Sequence, residues 1–586
     1  MKKVQGNPLP LGVTIQENKV NFSVAVPDGQ ACSLLLYRKG EMEPCNIFEM
    51  EKSLGEVRTL ALENIEPHLY EYNYLIDENV VVDPYAKALS GNETWGVEKA
   101  VAKHEIRAKI ALDRFDWECD EPLEIPYHEV IAYSFHVRGF TKDSKSGVKD
   151  KGTFEGVIEK IPYLKELGIN QIQCLPVYEF NETGEKCNYW GYGEGFYFAP
   201  KNAYSAVENG PVSLKKMVKA CHEAGIEVVL EMPFYHESSR QMMGECLRYY
   251  MMEYHVDGFV LNPYVVSMEV VCSDPILKHI KIVKHQTDFQ NDMRRFLKGD
   301  EGMVPGVMFW LRHTSRAEGI FNYIASHSGF TAYDMVSYAE KHNEENGENN
   351  RDGSDYNLSW NCGEEGESEC EEVIELRKKQ LRNAFFLVLL SQGTPCILAG
   401  DEFANSQKGN NNVYCQDNET GWVNWEKLEE EQELFEFVKA LINLRKKLPV
   451  FYPESEMTGK DMAGIGVPDV SYHGEGAWRA QTDRTSRQLG VYYSGVMMEQ
   501  KSDGKTGQMT RGKTREMNQK IAQKACYVAY NMHWLKHEFA IPNLPGQKKW
   551  YMVASTKDGV LKQPVLLKKQ QKICLEPRTI VVMTEE

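Results

Sequence analysis

Residues 130–177 read VIAYSFHVRGFTKDSKSGVKDKGTFEGVIEKIPYLKELGINQIQCLPV. The two ends, VIAYSFHV and INQIQCLPV, are apolar runs of strand length. Between them, 153–167 carries apolar residues at helical spacing, and Gly168 is placed to stop the helix. A strand, a crossover helix and a second strand form the unit that makes neighbouring strands parallel. The unit recurs downstream. A helix begins near 213 with Leu214, Met217, Val218 and Cys221 on one face and Gly225 as its stop, and IEVVLEM follows at 226–232. Another helix, 241–254, aligns Met243, Leu247, Tyr250, Met251 and Tyr254, and GFVLN follows at 258–262. HIKIV, FNYIAS and PCILAG are further strand candidates, and one more strand, poorly marked, is expected between 303 and 316. About eight such units predict a central (β/α)8 TIM barrel. An open doubly wound sheet is the structural alternative.

The flanks have a different period. NKVNFSVAV, ACSLLLYR and LYEYNYLID alternate or run apolar between turns, which predicts an N-terminal immunoglobulin-like β-sandwich. LGVYYSG, CYVAYNM, KWYMVAS and TIVVMTEE predict a C-terminal antiparallel β-sandwich. The expected boundaries are 1–120, 121–452 and 453–586, with a polar, locally basic insertion near 497–520 that reads as a solvated loop.

A chain of 586 residues is too long for one hydrophobic core. Its net charge of −18 argues against a nucleic-acid partner and suits a neutral polar ligand such as carbohydrate. No apolar run is long enough to cross a bilayer, so no membrane partner is expected, and the start MKKVQGNPLPLGV lacks the apolar core of a secretory signal. Fourteen cysteines without C-x-x-C pairs read as reduced thiols in a cytoplasmic protein, with neither a disulfide framework nor a metal site.

Several long stretches carry a resemblance. SFHVRGFTKDSKSGVKDKGTFEGVIEKIPYLKELGIN resembles the first barrel strand and helix of isoamylase-type glycogen and starch debranching enzymes, within glycoside hydrolase family 13 of the α-amylase superfamily. LPVYEF, NYWGYGEGFYFAPKNAYS, KHNEENGENNRDGSDYNLSWNCGEEGE and LSQGTPCILAGDEFANSQKGNNNVYCQDN are similar to its second-strand segment, long polar loop and eighth strand. The N-terminal part resembles carbohydrate-binding module family 48. The resemblance implies retaining hydrolysis of α-1,6 branch bonds, with no cofactor. That chemistry needs a carboxylate nucleophile and a carboxylic acid roughly 5 Å apart across the sugar. The family adds a third carboxylate.

All three carboxylate positions are substituted. The family's nucleophile strand, D-G-F-R-F-D, is DGFVLN here, which puts Asn262 at the nucleophile position and Val260 where the family has Arg. The acid position falls in IVKHQTD, on Lys284 or, with a shift of one, His285. The third, from an H-D pair, is Ser328 after His327. D-V-V-x-N-H becomes EMPFYH, with Glu231 for Asp, Tyr235 for Asn and His236 kept. The loops after His236 and Asn262 are short for the family. The resemblance therefore implies a catalytically silent homologue that binds α-glucan or partners an active isoamylase-type chain. The alternatives are an active hydrolase with rearranged residues and an interaction scaffold without sugar binding. The resemblance places His236, His327 and Tyr192 at sugar contacts, and Trp190 and Asp417 join them as candidates. The bland reading keeps Trp190 in the core and ties the NNNVYCQDN loop down by its own amides. Glu179, Glu182 and Glu231, near predicted strand ends, read as structural carboxylates.

Overall fold

The computed structural model describes residues 1–97, 105–235, 238–284, 287–316, 318–461, 464–495, 498–499, 518–519, 524–544 and 548–586. Its centre is a parallel sheet of seven short strands: β1 (Ala132–Phe135), β2 (Gln171–Cys174), β3 (Glu227–Glu231), β4 (Gly258–Leu261), β5 (Lys281–Lys284), β6 (Phe321–Asn322) and β7 (Thr394–Leu398). Their order is β5-β4-β3-β2-β1-β7-β6. The sequence runs round the sheet without the mid-sheet reversal of a doubly wound fold, and the first strand lies beside the last, so the sheet curls into a nearly closed barrel.

The helical stops act as the sequence implies. Thr153 caps 154–159 by accepting from the Gly156 N–H at 3.2 Å, and Gly168 ends Ile161–Leu167 in the left-handed region at φ 101°. The single helix expected over 153–167 is two helices that meet at Lys160, because Pro162 has no N–H to continue the ladder. Gly258 is required where β4 meets β5, since a Cβ there would lie 2.6 Å from the Lys281 carbonyl oxygen.

One expectation is corrected. The segment expected to supply a strand between 303 and 316 is the helix Val304–Arg312, which buries Val304, Val307 and Leu311 on one face. Among the described residues the barrel therefore has seven strands, with β5 and β6 unpaired to each other. Tyr127 bridges the gap. Its hydroxyl accepts from the Ile282 N–H of β5 at 3.0 Å, and its ring packs edge-on against Phe321 of β6, with centroids 6.2 Å apart. The Tyr127 carbonyl accepts from Thr394 Oγ1 of β7 at 2.8 Å. A single aromatic side chain thus satisfies an edge donor that a strand would otherwise take.

The barrel interior is layered. At the floor Lys281 is paired with Glu227, which also accepts from Gln171 Nε2 and the Ile125 N–H, both at 2.9 Å. Above it lie Val229, Val260, Val283, Phe321 and Cys396. The apolar core continues between the strands and the surrounding helices.

The N-terminal part packs a five-stranded on a six-stranded antiparallel sheet around Phe22, Leu34, Leu36, Leu60, Tyr72 and Tyr74. The C-terminal part pairs a six-stranded antiparallel sheet with the ribbon His537–Ala540 and Lys572–Leu575. The expected insertion near 497–520 lies outside the described residues, except for an antiparallel pairing of 498–499 with 518–519.

Candidate functional site at the barrel mouth

In a parallel barrel, chemistry belongs at the C-terminal ends of the strands. Glu231 ends β3, Asn262 follows β4, Lys284 ends β5 and His327 follows β6. Glu231, Lys284 and His327 line one inner cavity, and Asn262 stands apart from them. Asn262 is exposed, and its side-chain oxygen accepts from the Tyr264 N–H at 3.0 Å. Its carbonyl accepts from the Val265 and Val266 N–H groups, both at 3.0 Å. The residue at the nucleophile position is thus turned into its own tight loop beside Pro263. Lys284 forms an ion pair with Glu318 at 3.0 Å, and Ser328 is exposed. His285 and His236 lie outside the described residues.

Glu231 and His327 are buried and share one partner. The Tyr192 hydroxyl lies 2.6 Å from Glu231 Oε1 and 2.6 Å from His327 Nε2. The phenol has one proton, and with that proton donated to Glu231, the His327 Nε2–H completes the group as donor. Burial, and then the Glu231 charge, push the Tyr192 phenol well above its ordinary pKa, so it stays protonated. Trp190 stands edge-on to both rings, 5.6 Å from Tyr192 and 5.1 Å from His327.

Two cavities meet at this cluster. The inner one, about 40 Å³, is lined by the strand ends, including Ser134, Cys174, Glu231, Lys284 and His327. Among its described lining residues Glu231 is the only carboxylate. The outer one is an open groove of about 560 Å³, lined by Lys186, Trp190, Tyr192, Asp352, Asn412 and Tyr414 among others. Aromatic faces beside amides and charged groups suit a polyhydroxylated ring with an apolar face.

The loops forming the groove are tied by their own amides. Asp352 Oδ2 accepts from Asn346 Nδ2 at 2.8 Å and Asn412 Nδ2 at 2.9 Å, and Asn411 Nδ2 donates to Asn357 at 2.6 Å. Trp190 is both core and groove wall, being buried yet lining the groove. Asp417 does not line it. A two-pronged bond from Arg138, at 2.8 and 3.0 Å, and Trp422 Nε1 at 2.9 Å occupy its carboxylate. Burial works against that charge, but Arg138 and Trp422 outweigh it and hold the Asp417 pKa below its ordinary value.

Glu179 and Glu182 are structural: both flank the buried Lys201 ammonium, at 3.6 and 2.8 Å. Burial pushes Glu179 up to about 7, against the pull of Lys201. Sequence reasoning offered the Asn side chains of NNNVYCQDN, Asn412 among them, to sugar hydroxyls but missed Lys186, Asp352 and Tyr414; the aromatic Tyr414 inside a polar loop was the available signal. Among the described residues no group of three or more His, Cys, Asp or Glu is arranged to hold a metal ion, and no helix is long and apolar enough to cross a membrane.

The family profile described as alpha amylase, catalytic domain, matches residues 135–262 and so ends at Asn262. Isoamylase 1, chloroplastic, from Oryza sativa subsp. japonica is 31% identical over 583 aligned positions, covering 75% of this chain and 72% of that protein. The glycogen operon protein GlgX homolog of Mycobacterium tuberculosis is 26% identical, covering 95% and 93%. The fold is similar to that of a pullulanase from Paenibacillus barengoltzii in complex with maltohexaose and α-cyclodextrin, with a TM-score of 0.72, 18% identity and coverage of 99% and 95%. On the identity and coverage shared with isoamylase 1, the chain belongs to the isoamylase-type debranching branch of the α-amylase family, glycoside hydrolase family 13.

Proposed function

We propose that this chain is a non-hydrolytic member of the debranching family that binds α-glucan in the groove beside Tyr192. The observation that carries the reading is the carboxylate census of the barrel mouth. Retaining hydrolysis needs two carboxyl groups roughly 5 Å apart, one charged and one protonated. The described lining of the inner cavity offers Glu231 alone, already hydrogen-bonded to Tyr192. Asn262 cannot form the glycosyl ester, and losing a covalent nucleophile costs on the order of 10⁶ in rate in a well-studied hydrolase. Loss of the carboxylic acid at the position of Lys284 or His285 removes a further factor of about 10² to 10⁴ if the losses are independent.

The groove supports binding by its composition, and the chain's relatives include a pullulanase solved with maltohexaose. In the same proposal, 1–120 serve as a family 48-type carbohydrate-binding module, 121–452 as the degenerate catalytic barrel and 453–586 as the C-terminal β-domain. The protein then acts in the cytoplasm as a glucan-holding partner of an active isoamylase-type chain.

Affinity electrophoresis in glycogen-containing gels tests the binding. The native chain is expected to be retarded. Tyr414→Ala should weaken the retardation by about tenfold or more, because truncating an aromatic anchor costs roughly 2 kcal/mol. Migration unaffected by glycogen would contradict the proposal and favour a scaffold without sugar binding.

A further inference from the structure

We infer that Tyr192 is a latched partition: its ring forms the inner end of the groove, and its hydroxyl, bonded to Glu231 and His327, seals the barrel mouth against a sugar unit. A glucan segment held in the groove then ends at the Tyr192 ring, and no glucose unit reaches the strand ends. The inference rests on the groove being a glucan site for the identity of its ligand, and on geometry alone for the seal.

Tyr192 lines the outer groove, whereas both of its hydroxyl partners line the inner cavity. The side chain therefore stands between the two spaces. Behind it remain about 40 Å³. One water occupies about 30 Å³ of liquid, and small-molecule sites run to roughly 300–1,000 Å³, so the inner space holds water and not a hexose. The latch is fixed from both sides. Glu231 ends β3, a central strand paired with β2 on one side and β4 on the other. Trp190 packs edge-on against the Tyr192 and His327 rings.

The residue types explain why the seal forms here. The family pattern has Asp where this chain has Glu231. The extra methylene extends the carboxylate by about 1.5 Å, one C–C bond, which carries it to the phenol at 2.6 Å. An Asp on the same backbone would leave a gap beyond hydrogen-bond range. The shortened loop after Asn262 turns that residue outward and away from the cavity. Loss of the nucleophile and closure of its pocket are then two parts of one rearrangement.

Crystals soaked with glucose and, separately, with maltohexaose test this. In the native protein maltohexaose is expected in the groove with its last ring against Tyr192, and glucose is expected to be absent from the strand-end cavity. Tyr192→Ala removes the partition and should admit a glucose ring between Glu231 and His327. A sugar ring at the strand ends of the native protein would overturn the inference, and so would a Tyr192→Ala cavity that still excludes glucose. The glucose soaks need no glucan in the groove. Failure of maltohexaose to bind anywhere would therefore count against the glucan-groove reading, while the glucose soaks alone decide whether the seal exists.

Discussion

Replacing Tyr127 with Phe removes one oxygen and tests how the barrel closes without a strand between β5 and β6. In the native structure the Ile282 N–H is satisfied by that oxygen at 3.0 Å. The variant keeps the ring against Phe321 and the Thr394 bond to the Tyr127 carbonyl, so it isolates the hydroxyl. The contact is part-buried, which places the loss between a net hydrogen bond, about 1 kcal/mol, and a stranded buried donor, about 1–3 kcal/mol. A loss of roughly 1–2 kcal/mol corresponds to a factor of about 5–30 in the local opening equilibrium. Hydrogen–deuterium exchange followed by mass spectrometry on peptides covering 280–284 reads this directly. Exchange there should accelerate by that factor, with peptides over β1 and β2 unchanged. Unchanged exchange at Ile282 would refute the reasoning and show that the β5 edge is not held by the phenol.

Three further outcomes follow from the same geometry. His222 directs both ring nitrogens at carboxylates, Nδ1 to Asp120 and Nε2 to Asp257, each at 2.9 Å, and Asp120 also takes His255 Nδ1 at 2.6 Å. Burial opposes the imidazolium, but the two aspartates outweigh it and raise the His222 pKa above 6.5; its stabilisation is complete below that value and is lost as pH rises through the raised pKa. Thermal midpoints should therefore fall over that range in the native chain, and less so in Asp120→Asn. Asp417→Ala should lower stability by about 2–4 kcal/mol, since it strands the Arg138 guanidinium, and thermal unfolding reads the loss. Asn262→Asp should leave stability within about 0.5 kcal/mol, because Asp accepts the same Tyr264 N–H, and should release no reducing ends from glycogen.

Legibility in the sequence tracked separation along the chain. Strand–helix units were readable because each is local: Thr153 and Gly168 mark their helices within a few residues. The helix at 304–312 was missed because the expectation of eight units placed a strand there, whereas Val304, Val307 and Leu311 already had helical spacing. Tyr127 closing β5 was not readable at all, because its partner lies 155 residues away and an isolated Tyr before a strand carries no signal.

The site divides the same way. Asn262, Lys284 and Ser328 could be placed at strand ends from flanking motifs, but the exposure of Asn262 and Ser328 and the pairing of Lys284 with Glu318 depend on turns and contacts that the motifs do not encode. Tyr192, Glu231 and His327 were each visible singly. Their meeting spans 39 and 135 residues and is set by the barrel. Asp417 looked available for sugar hydroxyls until Arg138, 279 residues earlier, took its carboxylate.

The central claim is that a debranching scaffold here holds glucan without cutting it. The most direct test is reducing-end release from glycogen and amylopectin by the purified native chain, beside Glu231→Gln. The account predicts release indistinguishable from a protein-free control for both. Release by the native chain that Glu231→Gln abolishes would contradict it and make Glu231 a catalytic residue of a rearranged hydrolase.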